Sequence, residues 1–219
     1  MPRVHAYLRA ILFPVFAGGI IFVAAGRVDL PAVWGVLALL GVFMVGMVTV
    51  ADPGMIRERV QPGPGSQDRF TQPASIVLLL AHWLVAGLDV GRFQWSPVPP
   101  ALQIAGLIGY AACLAFVMWC LRVNRFYSSV VRVQSDRGHE PITVGPYAIV
   151  RHPGYAASIV AVFCGGVALG SWLAMIPVAA FVLLFVRRTL LEDAMLVREL
   201  PGYAGYAKTV RYRLLPGVF

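Results

Sequence analysis

Six apolar runs alternate with short polar clusters along the chain, at roughly 10–26, 31–51, 74–90, 99–121, 155–169 and 171–187. Runs of this length and purity predict membrane-embedded segments. Lipid offers no partner to a backbone N–H or C=O, so each run is expected to be a helix. The last two are short. From Tyr155 to Arg187 there are 33 residues for two passes, with Gly170-Ser171 as the turn. At the helical rise each arm reaches about 24 Å, against a hydrocarbon core of about 30 Å. The second arm is expected to run on, because Thr189–Leu200 keeps a helical pattern until Pro201. The 52–73 segment, with Pro53, Gly54, Pro62, Gly63, Pro64 and Gly65, predicts an irregular linker. Trp95, beside Pro97, Pro99 and Pro100, predicts an interfacial anchor ahead of the fourth run.

Composition supports this reading. Of the 219 residues 59% are hydrophobic and only 13% charged, where a soluble domain carries about a quarter charged residues. Mean hydropathy is +0.76. The net charge of +8 flanks the apolar runs, which fits topology and anionic headgroups and argues against nucleic acid as a partner. With the N-terminus in the cytoplasm, Arg3, Arg9, Arg57, Arg59, Arg69, Arg122, Arg125, Arg132, Arg137, Arg151, Arg187, Arg188, Arg198, Lys208, Arg211 and Arg213 lie on the cytoplasmic side, sixteen of the eighteen basic residues. Only Arg27 and Arg92 face outward, so both termini are expected to be cytoplasmic. The first run is longer than the core of a signal peptide and predicts an uncleaved helix. Cys113, Cys120 and Cys164 sit inside apolar runs without a CxxC pair, so neither a disulfide framework nor a metal site is implied.

Polarity gathers in two stretches, 124–155 and 187–219, which bracket the last two runs and therefore meet at one membrane face. Pro153 suits the first turn of a helix, where its missing N–H costs nothing. This places Arg151 and His152 beside the free amides of a helix N-terminus, a setting for a carboxylate or phosphate. Gly145-Pro146 is expected to make a tight turn that leaves backbone carbonyls available to an adenine edge or an amine. Glu192, Leu196 and Glu199 share one helical face. A carboxylate at Glu192, near the membrane boundary, needs a cation such as Arg151 or a charged ligand; Arg188, four residues earlier, is a further partner. Arg211 and Arg213 are expected to hold the tail onto headgroups or onto the acidic pair. His82, inside the third run, is expected to make an interhelical hydrogen bond. Asp89 is expected to end that helix near the outer surface.

The pattern His139-Glu-Pro-Ile-Thr-Val-Gly145-Pro-Tyr147, then Arg151-His152-Pro153-Gly-Tyr155, then Glu192-Asp193, then Gly202-Tyr203-Ala-Gly-Tyr206 resembles the isoprenylcysteine carboxyl methyltransferase family and the wider group of phospholipid N-methyltransferases. The resemblance covers roughly 124–219 and divides the chain into four N-terminal helices without a motif, 1–121, and a catalytic region, 122–219. It implies an all-α integral membrane enzyme with S-adenosylmethionine as cofactor, bound at the cytoplasmic face and open sideways to lipid. By the resemblance, His139, Gly145, Pro146, Tyr147, His152, Pro153 and Tyr155 line the cofactor pocket. Glu192, Tyr203 and Tyr206 close it, and Arg151 and Glu192 lie nearest the transferring methyl. Three departures stand out: Asp193 replaces a second glutamate, Ser129 stands where eukaryotic members often carry histidine, and Ala157 replaces a common glycine.

The chemistry is coherent with such residues. A sulfonium cation favours a carboxylate and aromatic faces, and methyl transfer gains from aligning donor and acceptor. A carboxylate acceptor needs no base and is oriented by Arg151; an amine or thiol acceptor would draw on Glu192 or His152. The expected substrate is a lipophilic small molecule or lipid, with no obligate protein partner evident. Two other readings stay open: an NADPH-dependent membrane reductase of sterol-reductase type, to which the C-terminal region is also similar, and a non-catalytic transporter or scaffold subunit. The first lacks its longer acidic-cysteine signature after Arg188. The second predicts polar residues facing one another at mid-membrane, where the runs hold little besides His82.

Overall fold

In a computed structural model describing residues 2–219, and the side chains from Arg3 onward, the regular structure is helical, and the described residues form no strand beyond an isolated bridge between Pro97 and Ser171. Four long helices follow from the first four apolar runs. They are α1 (Pro2–Ala25), α2 (Pro31–Val50), α4 (Thr71–Gly87, continued by a π-helical turn, Leu88–Phe93) and α5 (Pro100–Val123). All four are long and apolar enough to cross a membrane. Their outward faces carry Leu8, Leu12, Val15, Phe16, Val42, Ile104 and Ile108 exposed, the reverse of a soluble protein and the surface expected against lipid.

The 52–73 segment departs from the expected linker. Residues Pro53–Val60 form a helix, α3. Asp52 caps it, accepting from the Met55 N–H at 3.0 Å, and Pro53 occupies the first turn. Met55 and Ile56 are buried between α1, α2 and α5. The prolines and glycines that suggest a linker thus begin the helix at Pro53 and end it before Pro62, while the buried pair supplies the stabilisation.

The last two runs form α6 (Pro153–Leu169) and α7 (Met175–Glu199), joined by a turn that starts at Gly170 in the left-handed region (φ 92). As expected from the sequence, α7 runs on to Glu199 before Pro201. Asp89 accepts from the hydroxyls of Ser96 and Ser171, 2.5 Å each, and from the Ser96 N–H at 3.0 Å. It is buried and does not end its helix, which continues to Phe93. His82 donates from Nδ1 to the Ala174 carbonyl at 2.9 Å, an inter-element bond of the expected kind. Trp95 is exposed and stacks on Phe93, ring centroids 4.3 Å apart.

Small residues let α5 and α6 touch. A Cβ at Gly106 would lie 2.8 Å from both the Cys164 carbonyl oxygen and the Ala168 nitrogen, so only glycine permits this backbone approach. One core joins α1, α2, α4 and α6 through Ile21, Val33, Trp83 and Leu169. A separate cluster, Val131, Met195, Leu196, Leu200, Tyr203, Tyr206 and Val210, folds the C-terminal tail and α8 (Tyr203–Thr209) over the end of α7.

Candidate active site

The two polar stretches meet around this third cluster. They enclose a narrow pocket of about 60 Å³ lined by Asn124, Phe126, Tyr127, His139, Tyr147, Arg151, His152, Gly154, Tyr155, Glu192, Leu196, Leu200, Tyr203 and Tyr206, among others. Its wall is made by the 124–142 loop, the residues before and within the first turn of α6, the distal third of α7 and α8.

Asp193 organises one side. Arg151 meets it with a two-pronged contact, Nε to Oδ1 at 2.7 Å and Nη2 to Oδ2 at 2.8 Å. Arg213 donates to Oδ2 at 2.8 Å, and Tyr203 donates its hydroxyl to Oδ1 at 3.0 Å. His152 Nε2 lies 3.3 Å from the same oxygen. Burial works against the charge of Asp193, yet its contacts with His152 and Arg151 override that and hold its carboxyl well below the usual carboxylate range. The remaining arm of Arg151 donates to the carbonyls of Val210 and Arg211, both at 2.8 Å. Backbone pairing completes the clamp: the N–H groups of Arg151 and His152 donate to Tyr212 and Arg213. The returning tail therefore takes the amides just ahead of α6 that the sequence offers to an anion.

Glu192, one residue earlier on α7, faces the other way. Its Oε2 accepts from the Tyr155 hydroxyl at 2.6 Å and lies 3.8 Å from Arg188 Nε. Arg188 donates to the same Tyr155 hydroxyl at 2.8 Å and to the Ser129 carbonyl at 3.1 Å. The cation beside Glu192 is thus Arg188, one helical turn away, while Arg151 is held by Asp193. Consecutive residues on a helix point about 100° apart, so the acidic pair serves two separate networks.

Tyr206 donates to the Tyr147 carbonyl at 2.6 Å, tying α8 to the Gly145–Ala148 turn, and burial pushes its phenol up to about 12. His139 packs against Phe126 with the rings tilted by 33° and their centroids 4.5 Å apart, and accepts the Gln134 N–H on Nδ1. Burial, with the charges of Arg137 and Arg132, brings its imidazole down to about 4, so it stands neutral. The ring of His152 lies parallel to that of Tyr155 at 5.6 Å.

Of the residues singled out from the sequence, His139, Tyr147, Arg151, His152, Tyr155, Glu192, Tyr203 and Tyr206 line this one pocket. Gly145, Pro146 and Pro153 are not among its lining residues. Gly145 adopts φ 60 in the turn, Pro146 is buried, and Pro153 opens α6. Arg213 reaches Asp193 of the acidic pair, while Arg211 contributes its backbone carbonyl to Arg151. Sequence reasoning overlooked Tyr127, which packs over Gly154: a Cβ there would lie 2.5 Å from the Tyr127 ring. Asn124, Leu196 and Leu200 were likewise unassigned to the pocket. The one available signal was the run Asn124–Ser129, polar directly after an apolar helix.

Comparison with known proteins bears on the same region. A nickel-cobalt-cadmium resistance protein of Alcaligenes xylosoxydans xylosoxydans is 28% identical over 132 residues, 57% of this chain and 56% of its own length. A cobalt-zinc-cadmium resistance protein of Cupriavidus metallidurans is 26% identical over 134 residues, 59% of this chain and 57% of its own length. The chain thus spans little more than half the length of these relatives. The resemblance read from the sequence is met by a family model: residues 102–198, which supply α5, α6, most of α7 and the larger part of the pocket wall, match the isoprenylcysteine carboxyl methyltransferase family.

Proposed function

We propose that this multi-pass membrane protein transfers a methyl group from S-adenosylmethionine to a lipophilic acceptor, in the pocket closed by α8. The observation that carries this reading is the convergence of eight motif residues on one aromatic-walled pocket holding Glu192. The residues suit the cofactor. The pocket wall combines the carboxylate of Glu192 with the rings of Tyr147, Tyr155, Tyr203 and Tyr206, the surroundings that favour a cation.

When bound, the cofactor supplies an electrophilic methyl for in-line displacement by the acceptor. In the proposal, Glu192 holds the cationic end, and Tyr155, fixed from behind by Arg188, keeps that carboxylate in place. Neutral His139 and Phe126 offer flat faces for a base. Arg151 acts as a positioning residue through Asp193, joining α6, α7 and the tail so that Tyr203 and Tyr206 cover the pocket. A carboxylate acceptor is ionised and needs no base; an amine or thiol would pass its proton to Glu192 or His152. The orientation follows positive-inside: both termini and the pocket lie on the cytoplasmic face, with α6 and α7 as a short hairpin entering the membrane from that side. Together with the four long helices this makes six membrane segments.

Calorimetry on the detergent-purified protein tests the reading, with S-adenosylmethionine, NADPH and Ni²⁺ as separate ligands. Micromolar binding of S-adenosylmethionine that Glu192→Ala abolishes supports the proposal. Binding of NADPH or Ni²⁺ without S-adenosylmethionine overturns it.

A further inference from the structure

A second cavity, of about 400 Å³, lies between α1, α2 and α3, with Ser129 of the family-matched region also in its wall. Its walls are apolar, with Phe13, Met44, Met47 and Ile56 prominent, but Arg9, Arg59 and Ser129 also line it. Arg59 is half-buried, and its guanidinium stands 5.7 Å over the Tyr127 ring. Among the described residues no carboxylate forms an ion pair with it. The acids are engaged elsewhere. Glu58 and Asp136 hold Arg132, Asp52 holds Arg137, and Asp68 holds Arg187. Glu192 and Asp193 serve the pocket described above. Burial, and the nearby charge of Arg188, push the Arg59 guanidinium down from its usual value, as expected for a desolvated cation lacking an anion. The hydroxyl of Ser129 in the same cavity is buried and, among the described residues, has no hydrogen-bond partner. A cation and a hydroxyl left unsatisfied in one apolar chamber are costly unless a ligand completes them.

We infer that this cavity binds one anionic phospholipid, with an acyl chain against α1 and α2 and its phosphate on Arg59, Arg9 and Ser129. Two guanidinium groups and a hydroxyl match the several oxygens of a phosphodiester, where a lone carboxylate would use one fork. The site stands independently of the methyl-transfer reading, because none of its ligands is assigned to the cofactor.

Native mass spectrometry and thermal unfolding of the delipidated protein, titrated with phosphatidylglycerol or phosphatidylcholine, test it. Phosphatidylglycerol is expected to bind at one site and raise the melting temperature, with phosphatidylcholine markedly weaker. Arg59→Met is expected to lower the phosphatidylglycerol affinity roughly tenfold or more, and Ser129→Ala to lower it less. In the lipid-free state Arg59→Met should melt at or above the wild type, because it removes an unpaired charge. Equal binding of the two lipids, unchanged phosphatidylglycerol affinity in Arg59→Met, or Arg59-dependent binding of a long-chain fatty acid in place of the phospholipid would each overturn the inference.

Discussion

Replacing Asp193 by asparagine keeps its shape and removes the charge on which Arg151, Arg213, His152 and Tyr203 converge. The side chains of Asp193 and Arg151 are only 3% and 5% exposed, so the substitution leaves a buried guanidinium without its anion. Breaking such a pair from one side costs about 3–5 kcal/mol. The lower figure applies, because Arg151 keeps the carbonyls of Val210 and Arg211 and asparagine still offers one acceptor. For a chain of this size about 3 kcal/mol corresponds to a fall in melting temperature of roughly 6–12 °C. Tryptophan fluorescence during heating in detergent measures it. Arg151→Met with Asp193→Asn should cost less than the sum of the single changes, because each removes the other's stranded partner. Cofactor affinity should fall as well, since Tyr203 and His152 lose their shared anchor. An Asp193→Asn protein melting within about 2 °C of the wild type would show that the clamp contributes little, and the positioning role given to Arg151 would go with it.

Two further outcomes follow from the same geometry. His139 is lowered to about 4 while an unfolded histidine titrates near 6.5, so the unfolded chain binds the extra proton first. Its contribution is present in full above about pH 6.5 and is lost as pH falls toward 4, amounting to about 3 kcal/mol at most; His139→Gln should flatten the acid slope of the melting temperature, and an unchanged slope would refute the assignment. Gly154→Ala is helix-compatible yet sets a Cβ 2.5 Å from the Tyr127 ring, so it should cost roughly 1–3 kcal/mol and weaken binding in the pocket, which both residues line; wild-type stability and affinity would show that the ring yields freely.

The helices and the pocket were legible in the sequence to different degrees. An apolar run in lipid must satisfy its own backbone, so α1, α2, α4 and α5 could be read directly, as could the start of α6 at Pro153 and the end of α7 before Pro201. The motif residues likewise declared themselves as polar exceptions at the ends of apolar runs. Pairing was a different matter. Arg151 and Glu192 looked like partners by charge and location, but the angular offset between Glu192 and Asp193 on α7 gives Arg151 to the aspartate and leaves Arg188 beside the glutamate. Nor does local pattern reveal that the tail returns to bond the backbone ahead of α6, that a buried Met55-Ile56 pair makes a helix of an expected linker, or that Arg59 has no carboxylate partner among the described residues. Helix formation depends on neighbours within a turn or two. These outcomes depend on which side chains the packed bundle brings together from forty to seventy residues apart, and only the tertiary structure decides that.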